Sequence, residues 1–107
     1  MTNPRKDTSV LRKNFSKTGK FCRVTFDFLP PDGTKTVSLC GEFNEWNPKN
    51  DSMTRRKDGR FSVTVSLETG KSYRFKFLID GKAWEKDSDA DGFRLNEFGT
   101  EDSVVSV

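Results

Sequence analysis

Arg60 to Ile79 constrains the fold more than any other stretch of the chain. Phe61, Val63, Val65 and Leu67 alternate with Ser62, Thr64 and Ser66. After Glu68-Thr69-Gly70-Lys71 the alternation resumes, with Tyr73, Phe75, Phe77 and Ile79 set against Arg74, Lys76 and Leu78. A period of two places one set on a core and the other on solvent, as in a half-buried strand. Strands are therefore predicted over 60–67 and 72–79, with the four residues between them closing a hairpin. Phe21 to Phe28 repeats the pattern, Cys22, Val24, Phe26 and Phe28 facing in, before Pro30-Pro31-Asp32-Gly33 ends it in a turn. Another strand is predicted over Lys35 to Phe43, with Gly41 marking a bulge or a close backbone approach.

Elsewhere the signals are shorter. Met53-Thr54-Arg55 is read as a strand hidden in the long stretch 44–59, followed by a turn at Lys57-Asp58-Gly59. Asp80-Gly81 signals a tight turn into a short strand, Lys82 to Glu85, that carries Trp84. Residues 86–102 read as irregular, and Ser103 to Val107 as a terminal strand. Residues 10–15 add an edge strand, and the first seven or so residues are expected to be disordered. No segment has helical periodicity over three turns. At 107 residues the chain is one domain. Seven or so short strands at near-regular spacing predict an all-β immunoglobulin-like β-sandwich. Hydrophobic content is only 32%, and ten Phe and two Trp compensate, since each ring buries about 150–250 Å².

Charge is uneven. Residues 1–20 hold six basic residues against Asp7 alone, a net +5; the other thirteen bases and fifteen acids leave −2. The chain is accordingly divided into a basic, partly disordered arm over 1–20 and a sandwich over 21–107. The arm reads as a solvated terminus, so neither nucleic acid nor a membrane is an expected partner. Cys22 and Cys40 lie on strand parities that do not favour a bridge. With no apolar run after the N-terminus, reduced thiols in a cytoplasmic protein are expected.

Three stretches offer chemistry. Asp87, Asp89 and Asp91 with Gly92 resemble the start of a calcium loop, but its twelfth position is Phe98, with Glu97 one short, and helical flanks are lacking. An acidic solvated loop is the better reading, and no metal or cofactor is expected. Glu42, Glu45, Asp80, Glu85 and the Asp87 cluster supply acids, but no pair is placed in a cleft as glycoside hydrolysis needs. The chain has no His, which excludes Ser-His and Cys-His systems. Catalysis is not expected. Trp46 and Trp84 sit at loop edges rather than at alternating core positions. An indole face covers the apolar face of a sugar ring, and Asn44, Asn47, Asn96, Thr100 and Asp102 lie in the two long loops as polar partners. By residue pattern alone, a sugar site and a pair of rings capping the sandwich remain equally open.

Three motifs in order break the tie: GEFNEWNP at 41–48, the run from Met53 to Trp84 with its K-F-x-x-D-G, and NEFGTEDSVVSV at 96–107. Together they make the chain, from about Phe21 to Val107, resemble carbohydrate-binding module family 48, the isoamylase N-terminal or early-set domain. It is similar to the glycogen-binding domain of the AMP-activated kinase β subunit. The resemblance implies an early-set sandwich that binds α-1,4-glucan such as glycogen or starch. It implies a site of Trp46 and Trp84 as stacking rings, Lys76 and Thr100 as hydroxyl partners, Phe98 where the family has a leucine that threads the sugar, and Asp102 in place of an asparagine. One residue more than in the family separates Trp84 from the Asp80-Gly81 turn. The expected arrangement is one platform of both tryptophans, Lys76 between them and Phe98, Thr100 and Asp102 on the rim. The expected partner of this monomer is α-glucan. The alternative is a protein-interaction module that associates with a glycogen-metabolising enzyme.

Overall fold

The computed structural model describes residues 9–107. Among them, nine strands form two antiparallel sheets. The strands are β1 (Ser9–Phe15), β2 (Phe21–Phe28), β3 (Val37–Gly41), β4 (Thr54–Arg55), β5 (Phe61–Glu68), β6 (Ser72–Ile79), β7 (Ala83–Glu85), β8 (Gly92–Leu95) and β9 (Glu101–Ser106). One sheet has the order β1-β2-β5-β4; the other has β3-β6-β9-β8, with β7 paired to β6. The helical element among the described residues is a single 3-10 turn, Glu42–Asn44. The expected all-β sandwich is therefore the observed fold.

Alternation positions the core. Val24 and Phe26 of β2 and Phe75 and Phe77 of β6 are fully buried, each from a different sheet. Phe26 meets Phe75 edge-on at 5.0 Å, and Phe28 stacks on Phe77 at 4.4 Å. Such pairs add about 0.5–1.5 kcal/mol each beyond the area they bury. Cys22 and Cys40 are both buried and free. Burial, then the charge of Asp51, pushes the Cys40 thiol up.

Several sequence expectations need correction. Residues 68–71 do not close a hairpin, because β5 and β6 belong to different sheets and the chain crosses between them there. The strand expected over 35–43 stops at Gly41. A side chain on Gly41 would lie 2.6 Å from the Arg74 carbonyl oxygen, so the backbones approach closely, as the glycine had signalled. Asn44 then draws the chain out of the sheet: its Oδ1 accepts the Gly41 N–H at 3.0 Å and its amide donates to the Leu39 carbonyl at 2.9 Å. The hidden strand is present in part as β4, while the Met53 N–H bonds the Val37 carbonyl at 2.9 Å, so this segment bridges both sheets. β8 was missed inside the stretch read as irregular; four residues are too few to show a period. Leu78 has outward parity yet is buried, because it lies opposite Trp84 in the β6–β7 ladder.

The segment after Trp84 is a solvated acidic loop only in part: Asp89 and Asp91 are exposed. Asp87 is fully buried and Ala90 packs against the core. The segment closes the side of the sandwich against β1, which pairs with β2 over seven residues and so realises the expected edge strand. Disorder expected in the first seven or so residues falls outside the described residues.

Candidate functional site

The outer face of the second sheet carries a groove of about 1120 Å³. Trp46, Lys76, Trp84, Phe98, Thr100 and Asp102 all line it, together with Glu42, Arg74 and Asn96. Three strands, β6, β7 and β9, and the turns after β3 and β8 bring these side chains together.

Trp46 comes from the turn after β3. Glu45 and Trp46 both have left-handed backbones, φ 56° and 60°, which for non-glycine residues costs of order 1 kcal/mol or more each. The Trp46 N–H bonds the Gly41 carbonyl at 2.8 Å, and buried Asn44 pins the turn beneath. Asn44 is thus a structural residue, not a groove donor. Asn47 does not line the groove either; its Oδ1 accepts the Lys49 N–H.

Trp84 comes from β7, held against β6 by the pairs Phe77–Glu85, Leu78–Trp84 and Ile79–Ala83. The connecting loop holds three residues, with Asp80 and Gly81 left-handed and the Lys82 N–H on the Ile79 carbonyl. Trp84 lines the groove. Asp80 Oδ1 accepts the Thr36 and Lys35 N–H groups, which holds its carboxyl below the usual range. Trp84 is 49% exposed. Its ring meets that of Trp46 edge to face, centroids 6.5 Å apart and planes at 75°. The two indoles of the expected platform meet as an angled corner.

Lys76 projects from the outward parity of β6, as does Arg74. Lys76 Nζ donates to Thr100 Oγ1 at 3.2 Å and lies 3.6 Å from Asp102 Oδ1. Arg74 Nη1 lies 3.5 Å from Asp102 Oδ2. Asn96 organises the turn between β8 and β9: its Oδ1 accepts the Phe98 and Thr100 N–H groups, and its amide donates to Thr100 Oγ1 and Asp102 Oδ1. This lifts Phe98 to the tip, 81% exposed, with Thr100 beside it. Asp102 is not a rim residue. It is buried at the groove floor, tied to both cations and to Asn96.

Parity had placed Arg74 on the same face as Lys76, and that signal was sufficient to find it. Glu42 had no such signal: it lies in the 3-10 turn, and its Oε1 accepts the Arg74 N–H at 2.8 Å. Chemically the groove pairs apolar ring faces with cationic and amide donors and with carboxylate acceptors. That combination suits a neutral polyhydroxylated ligand with alternating apolar and polar surfaces. Asp87, whose carboxyl is pushed up by burial, does not line the groove. Among the described residues no three His, Cys, Asp or Glu side chains are grouped to hold a metal ion.

Residues 24–107 match the family model described as the glycogen recognition site of AMP-activated protein kinase. The chain is 33% identical over 73 residues, 66% of its length, to a 1,4-alpha-glucan branching enzyme of Synechococcus elongatus. It is 31% identical over 71 residues, 60% of its length, to an amylopullulanase of Thermoanaerobacter thermohydrosulfuricus. The matched parts are 9% and 4% of those enzymes, so the chain spans less than a tenth of the curated relatives it matches.

Proposed function

Since this chain belongs to the family of the glycogen recognition site of AMP-activated protein kinase, we propose that its groove binds α-glucan without catalysing a reaction on it. The convergence of Trp46, Trp84 and Lys76 on one groove carries the reading. The names of its relatives, an alpha-glucan branching enzyme and an amylopullulanase, support the same ligand class. In this reading Trp84 and Trp46 present ring faces to successive parts of a curved glucan, and their angle suits curvature better than a flat chain. Phe98 covers the ligand from the turn tip. Lys76 and Thr100 hydrogen-bond hydroxyls, and Asp102 holds the two cations in place from below. Two free, buried thiols fit a cytoplasmic setting.

Native gel electrophoresis with glycogen or amylose cast into the gel tests it. Retardation of the wild type, lost in Trp84→Ala, is the expected result. Unchanged mobility in both polysaccharides overturns it, and co-purification of a glycogen-metabolising enzyme in that case favours the protein-interaction reading.

A further inference from the structure

Residues 87–91 hold β1 by a regular set of contacts. Ser9 Oγ donates to Asp87 Oδ1. The Leu11 N–H donates to Asp89 Oδ2 at 2.8 Å, and Lys13 Nζ donates to Asp91 Oδ2 at 2.8 Å. All three pairs are separated by 78 residues, so the acids at every second position run parallel to every second residue of β1. Asp89 Oδ2 thereby covers a backbone donor on the edge of a sheet, a group otherwise open to strand addition.

This segment joins two walls of the groove. It begins one residue after β7, which carries Trp84, and ends at β8, which leads into the turn bearing Phe98 and Thr100. Its ends are held by the second sheet: the Asp87 N–H donates to Ser103 Oγ at 2.8 Å and the Asp91 N–H to the Val104 carbonyl at 2.9 Å. The acidic side chains of Asp87, Asp89 and Asp91 take donors from β1, and Asp91 Oδ2 accepts the Ser106 N–H of β9 as well, at 2.7 Å. No β1 residue lines the groove, and β1 lies outside the matched residues 24–107.

We propose that β1 is a latch that positions the groove: by fixing the 87–91 segment it sets Trp84 against the Phe98–Thr100 turn. Glucan affinity then depends on a strand that meets no sugar. Ser9 and Lys13 are positioning residues acting through Asp87 and Asp91. The proposal rests on the glucan-binding reading.

The test uses the full chain carrying Ser9→Ala with Lys13→Ala, and a second variant, Lys13→Arg. Amide hydrogen exchange and retardation in glycogen gels are measured on each. In the double variant, exchange should rise in β1, in 87–91 and in the 96–100 turn together, and apparent affinity should fall about 5-fold or more, the low end of ordinary site coupling. Lys13→Arg should retain wild-type exchange and retardation. Faster exchange confined to β1, with an unchanged turn and unchanged retardation, overturns the latch and leaves β1 as a cover for the sheet edge. If the double variant fails to fold, Lys13→Ala alone is read by the same two measurements and against the same outcomes. If the wild type itself is not retarded, the glucan reading fails. Exchange at 96–100 then decides the latch alone: acceleration supports it, and no change rejects it.

Discussion

β9 meets a buried aspartate on each of its faces, and the two are held in opposite ways. On the solvent side Asp102 is buried at the groove floor with Arg74, Lys76 and the Asn96 amide around it. On the core side the Ser103 hydroxyl accepts the backbone N–H of Asp87. The Asp87 carboxyl takes neutral donors, the Ser9 hydroxyl and the Asp89 N–H, and its Oδ2 has no partner. Burial, followed at a distance by the like charges of Asp89 and Asp91, pushes the Asp87 carboxyl up despite those hydrogen bonds. A carboxylate between two cations belongs to a surface that presents donors to a ligand. A carboxyl without a cation belongs to an interior, where burial disfavours its charged form. On the proposed function the outer face serves binding and the inner face folding, and substitutions should separate the two.

The largest effect should come from the inner face. Phe75 is fully buried and touches Phe26 and Phe77. Phe75→Ala should cost about 3–5 kcal/mol of stability, read as a drop in the denaturant midpoint. If it instead weakens glucan binding with an unchanged midpoint, the division between the faces is broken.

Trp84→Ala should show the reverse. Loss of a central ring commonly costs about 2 kcal/mol or more of binding. Stability should fall by about 1–1.5 kcal/mol, since only half of the ring is buried. Calorimetric titration with a soluble maltooligosaccharide, alongside thermal melting, measures both. Wild-type affinity with a melt as early as that of Phe75→Ala would assign the ring to the core.

The same division explains what could be read from the sequence. Alternation within β2, β5 and β6 gave the strands and most of the core, because period two depends only on neighbours along the chain. Residues 68–71 misled because a turn signal says that the chain reverses, not which sheet receives it. Asp87 was misread as solvated because its burial depends on Ser9, 78 residues away. The six site residues converge on one groove, but the 75° angle between the tryptophans follows from the left-handed turn at Trp46 and from the β6–β7 pairing. The second was signalled by Asp80-Gly81, whereas the first has no local pattern. Asp102 was placed on the rim because nothing in its neighbours along the chain shows that Arg74 and Lys76 lie over it.

A smaller effect is expected at Lys76. Lys76→Ala removes a hydroxyl donor but leaves the rings, so binding should weaken by about 1 kcal/mol, the net worth of an ordinary hydrogen bond. Asp102 keeps Arg74 and Asn96 as partners, which limits the loss of stability. A loss matching that of Trp84→Ala, in the same titration, would mean that the polar floor rather than the ring corner supplies the anchor.

The most delicate test concerns the two signs of carboxyl shift. The folded value of Asp87 is raised by burial, so its contribution to stability is fully present below the unfolded carboxyl value and is lost as pH rises through the folded one. Asp80 is the opposite case: the Thr36 and Lys35 N–H groups lower its folded value, so its contribution is present above the unfolded value and lost as pH falls through the folded one. Asp87→Asn cannot ionise, yet its side-chain oxygen can still accept from the Ser9 hydroxyl and the Asp89 N–H. Urea midpoints measured between about pH 3 and 8 should therefore show Asp87→Asn gaining on the wild type as pH rises through the window above the ordinary carboxyl value. Asp80→Asn should lose ground over a lower window, below the ordinary value, as pH rises out of it. Parallel profiles for Asp87→Asn and the wild type would mean that burial does not raise the folded value of Asp87.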